Sequence, residues 1–389
     1  MPIIQPKVTE SLTLALLGRV REMRAQGLDV ASLAAGEPDF PTPDFVIDAA
    51  IASMKGGNTK YVDSQGIRPL REAIAEDYKK RYGISWITPQ HIVVTAGSKQ
   101  GIHVSLAALL KDGDEVLVPR PYWVSYPSLV KAAGGVVKDF DTLAKDKYFP
   151  TPEQLEKHYT PHTKALIFSS PCNPTGKMIT KEALKGIVDW CVKRKVQLIY
   201  DEIYERLVLG NQPHVCPLSL VNDEGKDIFC VNALSKSLSM TGWRLGYIVS
   251  HPENIKALTA LQTQFITCLP GFLQDAGVAG LHGATEFLKP VIKTFKERLQ
   301  VLTEGLKTIP DITFVEPEGA FYVMADVSKV MARKGIANDR VFCEELLKKE
   351  LTVINPGASM GMPGWVRLSF ATNVEEIRKA IERLKRFCA

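Results

Sequence analysis

Lys236 follows an apolar run that reads as a buried strand, in the segment Asn232-Ala233-Leu234-Ser235-Lys236-Ser237. Burial lowers the pKa of an amine and turns it into a nucleophile able to form an imine with an aldehyde. A lone lysine is ordinarily a solvated surface charge, so its neighbours decide the reading. Arg244, eight residues on, is near enough in a turn or short helix to return to the same pocket and pair with a phosphate dianion. In Tyr200-Asp201-Glu202-Ile203-Tyr204 an acid ends a strongly apolar strand. A carboxylate there either caps the next helix or needs a cationic partner, which a protonated ring nitrogen would be.

Three further segments come directly after apolar runs. Thr95-Ala96-Gly97-Ser98-Lys99-Gln100 turns through glycine into a helix start, where free backbone amides would hold a phosphate. It matches neither of the familiar glycine-rich phosphate motifs, and an ordinary strand-to-helix turn has the same look. Pro119-Arg120-Pro121-Tyr122-Trp123 puts a large flat side chain at a sheet edge, available for stacking or for core packing. Ser170-Pro171-Cys172-Asn173-Pro174-Thr175-Gly176 is a rigid turn that fixes Asn173 between prolines, although Asn-Pro turns are common without function.

These segments need elements to position them. From residue 91 onward, short β-branched runs alternate with amphipathic helical patterns, the sequence form of a parallel sheet covered by helices, so the fold class is α/β. Strands are expected at 91–95, 115–118, 164–169, 197–201, 227–232 and 245–249. In such sheets ligands bind beyond the carboxyl ends of the strands, where these segments fall. After about Glu286 the pattern changes to a long charged helix and then to short strands around Phe314, Tyr322, Val353 and Val366. A last helix ends the chain, with Val374, Ile377, Ile381, Leu384 and Phe387 on one face. We therefore expect an N-terminal arm and part of a small domain over residues 1–41, a large domain over 42–285 and the rest of the small domain over 286–389. The extended stretch 33–40 would cross to join the small unit.

Composition narrows the class. With 45% hydrophobic and 23% charged residues the chain reads as an ordinary soluble globule, and its 389 residues exceed one common core. A net charge of +5 is small for this length and forms no basic tract, so no nucleic-acid partner is expected. Seven cysteines form no CxxC pair, which points to reduced thiols and the cytoplasm. The apolar run 12–17 is too short for a membrane span or an export signal. The seven histidines form no cluster with carboxylates, so metal catalysis gains no support and no metal is expected.

Taken in order along nearly the whole chain, the five segments resemble the aspartate aminotransferase family, class I aminotransferases among the fold-type I pyridoxal-phosphate enzymes. The resemblance implies a large domain with a mainly parallel seven-stranded sheet sandwiched by helices, a small α+β domain, pyridoxal 5'-phosphate as cofactor, and a homodimer with shared active sites. Lys236 looks like the Schiff-base lysine and proton carrier, Asp201 like the partner of the pyridine nitrogen, and Tyr204 and Asn173 like donors to the ring's 3-oxygen. Trp123 looks like the stacking ring. The phosphate would be held by Ser98, Lys99, Ser235 and Arg244, with Tyr61 reaching over from the other subunit. Arg367, in Trp365-Val366-Arg367-Leu368, resembles the arginine that grips the substrate α-carboxylate, with Gly36 supplying backbone beside it. One departure is Ala233, where many relatives carry serine or glycine.

The stretch 264–283 contains no lysine or arginine, unlike the animal and enteric subgroup. The chain looks instead like the bacterial subgroup with lysine in the glycine turn, in which Lys99 would meet the substrate's side-chain carboxylate, helped by Ser11 and Thr13. L-Aspartate with 2-oxoglutarate is the expected pair, and prephenate an added one. Aromatic or alanine transamination, or a lyase reaction such as C–S cleavage, would use the same cofactor motifs. A nicotinamide enzyme is disfavoured by the missing GxGxxG fingerprint.

Overall fold

The computed structural model describes residues 12–221 and 225–389. Among the described residues thirteen strands form three sheets. In chain order they are β1 (Ala31–Ser32), β2 (Ile92–Thr95), β3 (Glu115–Arg120), β4 (Val136–Asp141), β5 (Thr163–Ser169), β6 (Gln197–Asp201), β7 (Ile228–Ala233), β8 (Gly246–Val249), β9 (Thr313–Val315), β10 (Tyr322–Asp326), β11 (Thr352–Val353), β12 (Asn355–Pro356) and β13 (Trp365–Ser369).

The main sheet has seven strands in the order β2-β8-β7-β6-β5-β3-β4. Only β8 runs against its neighbours, pairing antiparallel with both β2 and β7. Alternate residues point to opposite faces of each strand and enter two different apolar clusters. Leu198, Tyr200, Leu166 and Cys230 join the larger cluster, while Ile199, Ile167, Val231 and Ile248 join the other. A sheet buried on both faces demands nearly continuous apolar runs, as β6 and β7 carry.

Six of these seven strands are legible in the pattern, each within a few residues of its expected bounds. β4 is not: Val-Val-Lys-Asp-Phe-Asp mixes charged and apolar residues, and half of it is exposed because it closes the edge of the sheet. Charge on an edge strand blocks further pairing, which hides the strand from a search for buried runs.

β12-β13-β10-β9 form a separate antiparallel sheet, and β1 pairs in parallel with β11. The N-terminal stretch does join this unit: the Ser369 N–H donates to the Leu33 carbonyl at 2.7 Å, and Asn355 Nδ2 donates to the Ala34 carbonyl at 3.0 Å. The terminal helix Val374–Cys388 buries Ile377, Ile381, Leu384 and Phe387, the expected stripe.

The long helix differs from expectation in where it starts. It runs unbroken over Gly271–Lys307, 37 residues, and spans the composition change near Glu286. Glycines disguise its first half, and packing explains them. A Cβ on Gly277 would lie 2.6 Å from Leu245 Cδ2, and one on Gly280 would lie 2.7 Å from Leu238 Cδ1. The helix thus presses its backbone against the segment that carries Lys236.

Leu198 is wholly buried at the centre of the main sheet. Leu198→Ala is expected to cost about 2–5 kcal/mol, from lost burial plus the cavity left behind. Urea unfolding of the two proteins measures it, and a difference under about 1 kcal/mol would contradict this account of the core.

Candidate active site

Strand direction alone collects the five segments. Thr95, Arg120, Ser169, Asp201 and Ala233 are the last residues of β2, β3, β5, β6 and β7, which all run the same way, so the residues after each strand lie at one edge. β8 runs the opposite way, so the residue just before its start, Arg244 ahead of Leu245 and Gly246, lies at that same edge. A cavity of about 330 Å³ opens there.

Lys236 sits in the single helical turn Leu234–Ser237, and its Nζ donates to the Gly36 carbonyl. Its pKa is lowered to about 8, chiefly by burial; Glu37 opposes the shift, while Arg244 and Arg367 add to it. Asp201 is 3% exposed. Tyr126 donates its hydroxyl to Asp201 Oδ2 at 2.8 Å, and the Ile203 N–H donates to Oδ1 at 3.2 Å. Burial nevertheless raises the Asp201 carboxyl to about 6, so a cation brought against it would be welcomed.

Two sides of the cavity are built for anions. On one, the helix Gly97–Leu109 begins with no side-chain cap, leaving its first amides turned to the opening at Ser98 and Lys99. Gly97 has φ +75°, and a Cβ there would lie 2.5 Å from Arg244 Nη2, so glycine is what lets the guanidinium close on the helix start. Arg244 Nη1 donates to the Thr241 carbonyl at 2.7 Å, and Ser235 lines the cavity beside it. Among the described residues neither Arg244 nor Lys99 pairs with a carboxylate. Lys99 Nζ rests 5.0 Å from the Trp123 ring centroid, and its pKa is lowered by burial and by Arg244.

On the other side, Arg367 on β13 is 2% exposed. Its Nη1 donates to Asn173 Oδ1 at 2.9 Å, its Nη2 to the Ala34 carbonyl at 3.3 Å, and its guanidinium carbon stands 4.3 Å from the Tyr322 ring centroid. Its Nε has no hydrogen-bond partner. Tyr204 and Tyr322 share a hydrogen bond of 2.9 Å between hydroxyls.

Gly36, Ser98, Lys99, Trp123, Asn173, Asp201, Tyr204, Ser235, Lys236, Arg244 and Arg367 therefore all line one cavity. Tyr61 does not: it is 86% exposed and lies outside the cavity of its own chain. Ser11 and the side chain of Thr13 lie outside the described residues. Other residues also line the cavity without having been expected there, among them Glu37, Tyr126, Thr241 and Tyr322. Glu37 accepts from the Thr241 hydroxyl at 2.8 Å and stands next to Gly36 in the chain, a signal that was there to be used. Tyr126 and Tyr322 carry no local mark that separates them from core tyrosines.

A buried amine, a buried acid, an uncapped helix start beside an arginine and a second, incompletely bonded arginine suit a flat cationic ring with a phosphate tail and a carboxylate substrate. Comparison with known proteins decides the point. Residues 29–384 match the family model for aminotransferases of class I and II. The chain belongs to this family. An aspartate aminotransferase of Geobacillus stearothermophilus is 39% identical over 380 residues, 98% of this chain and 96% of the relative. An aspartate/prephenate aminotransferase of Thermus thermophilus is 39% identical over 379 residues, 97% of this chain and 95% of the relative. The structure of the Thermus thermophilus aspartate aminotransferase with maleate superposes at a TM-score of 0.93 with 37% identity and full coverage of both chains. The fold is that of fold-type I pyridoxal-phosphate transferases, and the chain is an aminotransferase that uses pyridoxal 5'-phosphate, with amino-acid and 2-oxo-acid substrates. Among the described residues no helix of the aminotransferase is long and apolar enough to cross a membrane.

The Lys236 amine of the cofactor-free aminotransferase should titrate near 8, more than two units below an ordinary lysine. As pH rises through that value the neutral amine accumulates and acylation of Lys236 accelerates. Competitive labelling with acetic anhydride, read by mass spectrometry, is expected to give a midpoint near pH 8 for Lys236 and far higher values for exposed lysines. A midpoint above 10 would refute the burial argument.

Proposed function

We propose that the aminotransferase moves the amino group of L-aspartate to 2-oxoglutarate, giving oxaloacetate and L-glutamate. The observation that carries this reading is Lys99, a cation on the cavity wall, held against Trp123 and, among the described residues, without a carboxylate of its own. Such a cation suits the second carboxylate of a dicarboxylic substrate. The Geobacillus relative's name and the maleate, a dicarboxylate, in the Thermus structure support it. The Thermus relative's name extends to prephenate, which also carries two carboxylates.

Pyridoxal phosphate supplies an aldehyde that joins amines and a ring that draws electrons from the carbon beside the joined amine. The roles proposed for the chain's residues are supported by their place around one cavity. Lys236 would hold the cofactor and, once released, take the proton from the substrate Cα and return it two atoms along, across the amino nitrogen. Asp201 keeps a proton on the ring nitrogen; the Tyr126 hydroxyl and the Ile203 amide hold the carboxylate in place. Tyr204 and Asn173 would meet the 3-oxygen, Trp123 would cover the ring, and the amides at Ser98 and Lys99, with Ser235 and Arg244, would hold the phosphate; all line the cavity.

Arg367 grips the α-carboxylate in a two-bond fork beside Gly36. Because β13 and the stretch through Gly36 belong to the small domain, that grip draws the domain over the cavity and excludes water. We place the small domain at residues 1–41 and 286–389 and the large one at 42–285. Two copies form the dimer, each lending Tyr61 to the other's phosphate site; exposure of Tyr61 in the single chain is consistent with that. The cytoplasm is the proposed compartment.

Absorbance tests the reading. With the cofactor-loaded protein, L-aspartate should remove the visible band and 2-oxoglutarate should restore it; a band indifferent to aspartate would overturn the dicarboxylate assignment. Lys236→Ala should lose both the band and turnover. Lys99→Ala should lower kcat/KM for aspartate by about 10- to 100-fold, the worth of one charge-assisted hydrogen bond, while sparing a neutral amino acid. Equal losses for both substrates would restrict Lys99 to the phosphate side.

A further inference from the structure

One residue beyond Asp201, and outside every role given above, Glu202 is completely buried together with Cys216 and Cys230. A Glu202 carboxylate oxygen and both sulfurs lie within 4.8 Å of one another. The sulfurs are 3.8 Å apart and form no disulfide. His214 Nε2 stands 3.2 Å from Glu202 Oε2, and the Tyr78 hydroxyl donates to Oε1.

Charge pairing sets Glu202 apart from its neighbours. Asp77 and Glu205 are matched by Arg81 and Arg206. Among the described residues the only basic side chain paired with Glu202 is His214, whose Nδ1 has no hydrogen-bond partner of its own. A wholly buried carboxylate without a permanent cation is costly, and two sulfurs beside it are an unusual way to leave it.

We propose that Cys216, Cys230 and Glu202 form a buried site for a thiophilic divalent cation, zinc above all, with His214 orienting the carboxylate. Two zinc–sulfur bonds of about 2.3 Å at the tetrahedral angle set their sulfurs about 3.8 Å apart, the spacing required here. Two thiols in plain contact would sit as far apart, so the third donor is what turns the pair into a site. Sulfur excludes calcium and magnesium, and sulfur with carboxylate suits zinc. His214 lies outside the trio of donors and fixes the carboxylate as metal-bound carboxylates usually are fixed.

Binding replaces protons. Burial pushes both thiols up, so without a cation they stay protonated. On binding, two S–H bonds break, two metal–sulfur bonds form, and two protons pass to solvent with no change of oxidation state. The filled site would tie together the segment before the turn Pro217–Leu220, strand β7 leading to Lys236, and the residue after Asp201. Its role is therefore a brace behind the cofactor pocket. It does not rest on the proposed substrate.

The test uses the cofactor-loaded protein, dialysed with zinc, stripped of loose ions on a desalting column, and analysed for metal by mass spectrometry. One zinc per chain is expected, falling at least tenfold in Cys216→Ser and Cys230→Ser. Loading with cobalt(II) should give the red absorption bands of a tetrahedral sulfur site, clear of the cofactor's absorption and absent from both variants. Less than a tenth of a zinc per chain in the native protein would overturn the proposal, as would undiminished zinc in the double serine variant. If the serine variants do not fold, the native cobalt spectrum decides alone: octahedral bands, or none, reject the site.

Discussion

Keeping the amine of Lys236 buried among other charges is the constraint on which the rest of the pocket depends. A buried ammonium group is costly, and Arg244 and Arg367 nearby make it more so. The amine therefore becomes available as a neutral nucleophile close to physiological pH. Asp201 faces the mirror-image condition, a carboxyl pushed up by the same burial. Each group is ill at ease without a ligand that completes it. The site is pre-set for a guest that takes up the amine, pairs with the acid and carries negative charge to the helix start at Gly97.

That arrangement survives only because packing enforces it. Strand β7 delivers Lys236 from a fully buried strand, and the glycine-lined helix Gly271–Lys307 closes against Leu238 and Leu245 on either side of it. Asp201 ends β6 at the centre of the main sheet, with β5 and β7 on its flanks. Its hydrogen bonds from Tyr126 and Ile203 fix the carboxylate's direction. The second sheet holds Arg367 over the opening, where it donates to Asn173 Oδ1 after strand β5 and to the Ala34 carbonyl of the N-terminal stretch.

Glu202, one residue past Asp201, points the same lesson in another direction. Neighbours in the chain can serve separate sites, because the turn that aims Asp201 at the cavity leaves the next side chain among Tyr78, His214, Cys216 and Cys230. Spacing in the sequence concealed this group, since its donors come from segments around 202, 216 and 230.

From residue types and order alone came the α/β class, six strands of the main sheet, the terminal helix and eleven of the residues that line the cavity. These are legible because they rest on short-range rules: buried strands need apolar runs, and chemistry sits in the polar segments that end them. Edge strand β4 and the first half of the long helix were hidden, since charge at an edge and glycine at a close approach both imitate loop sequence. Glu37, Tyr126, Thr241, Tyr322 and the Glu202 cluster were decided only by the tertiary structure. Their significance lies in which distant segment each one meets, and a linear sequence carries the side chain without the contact.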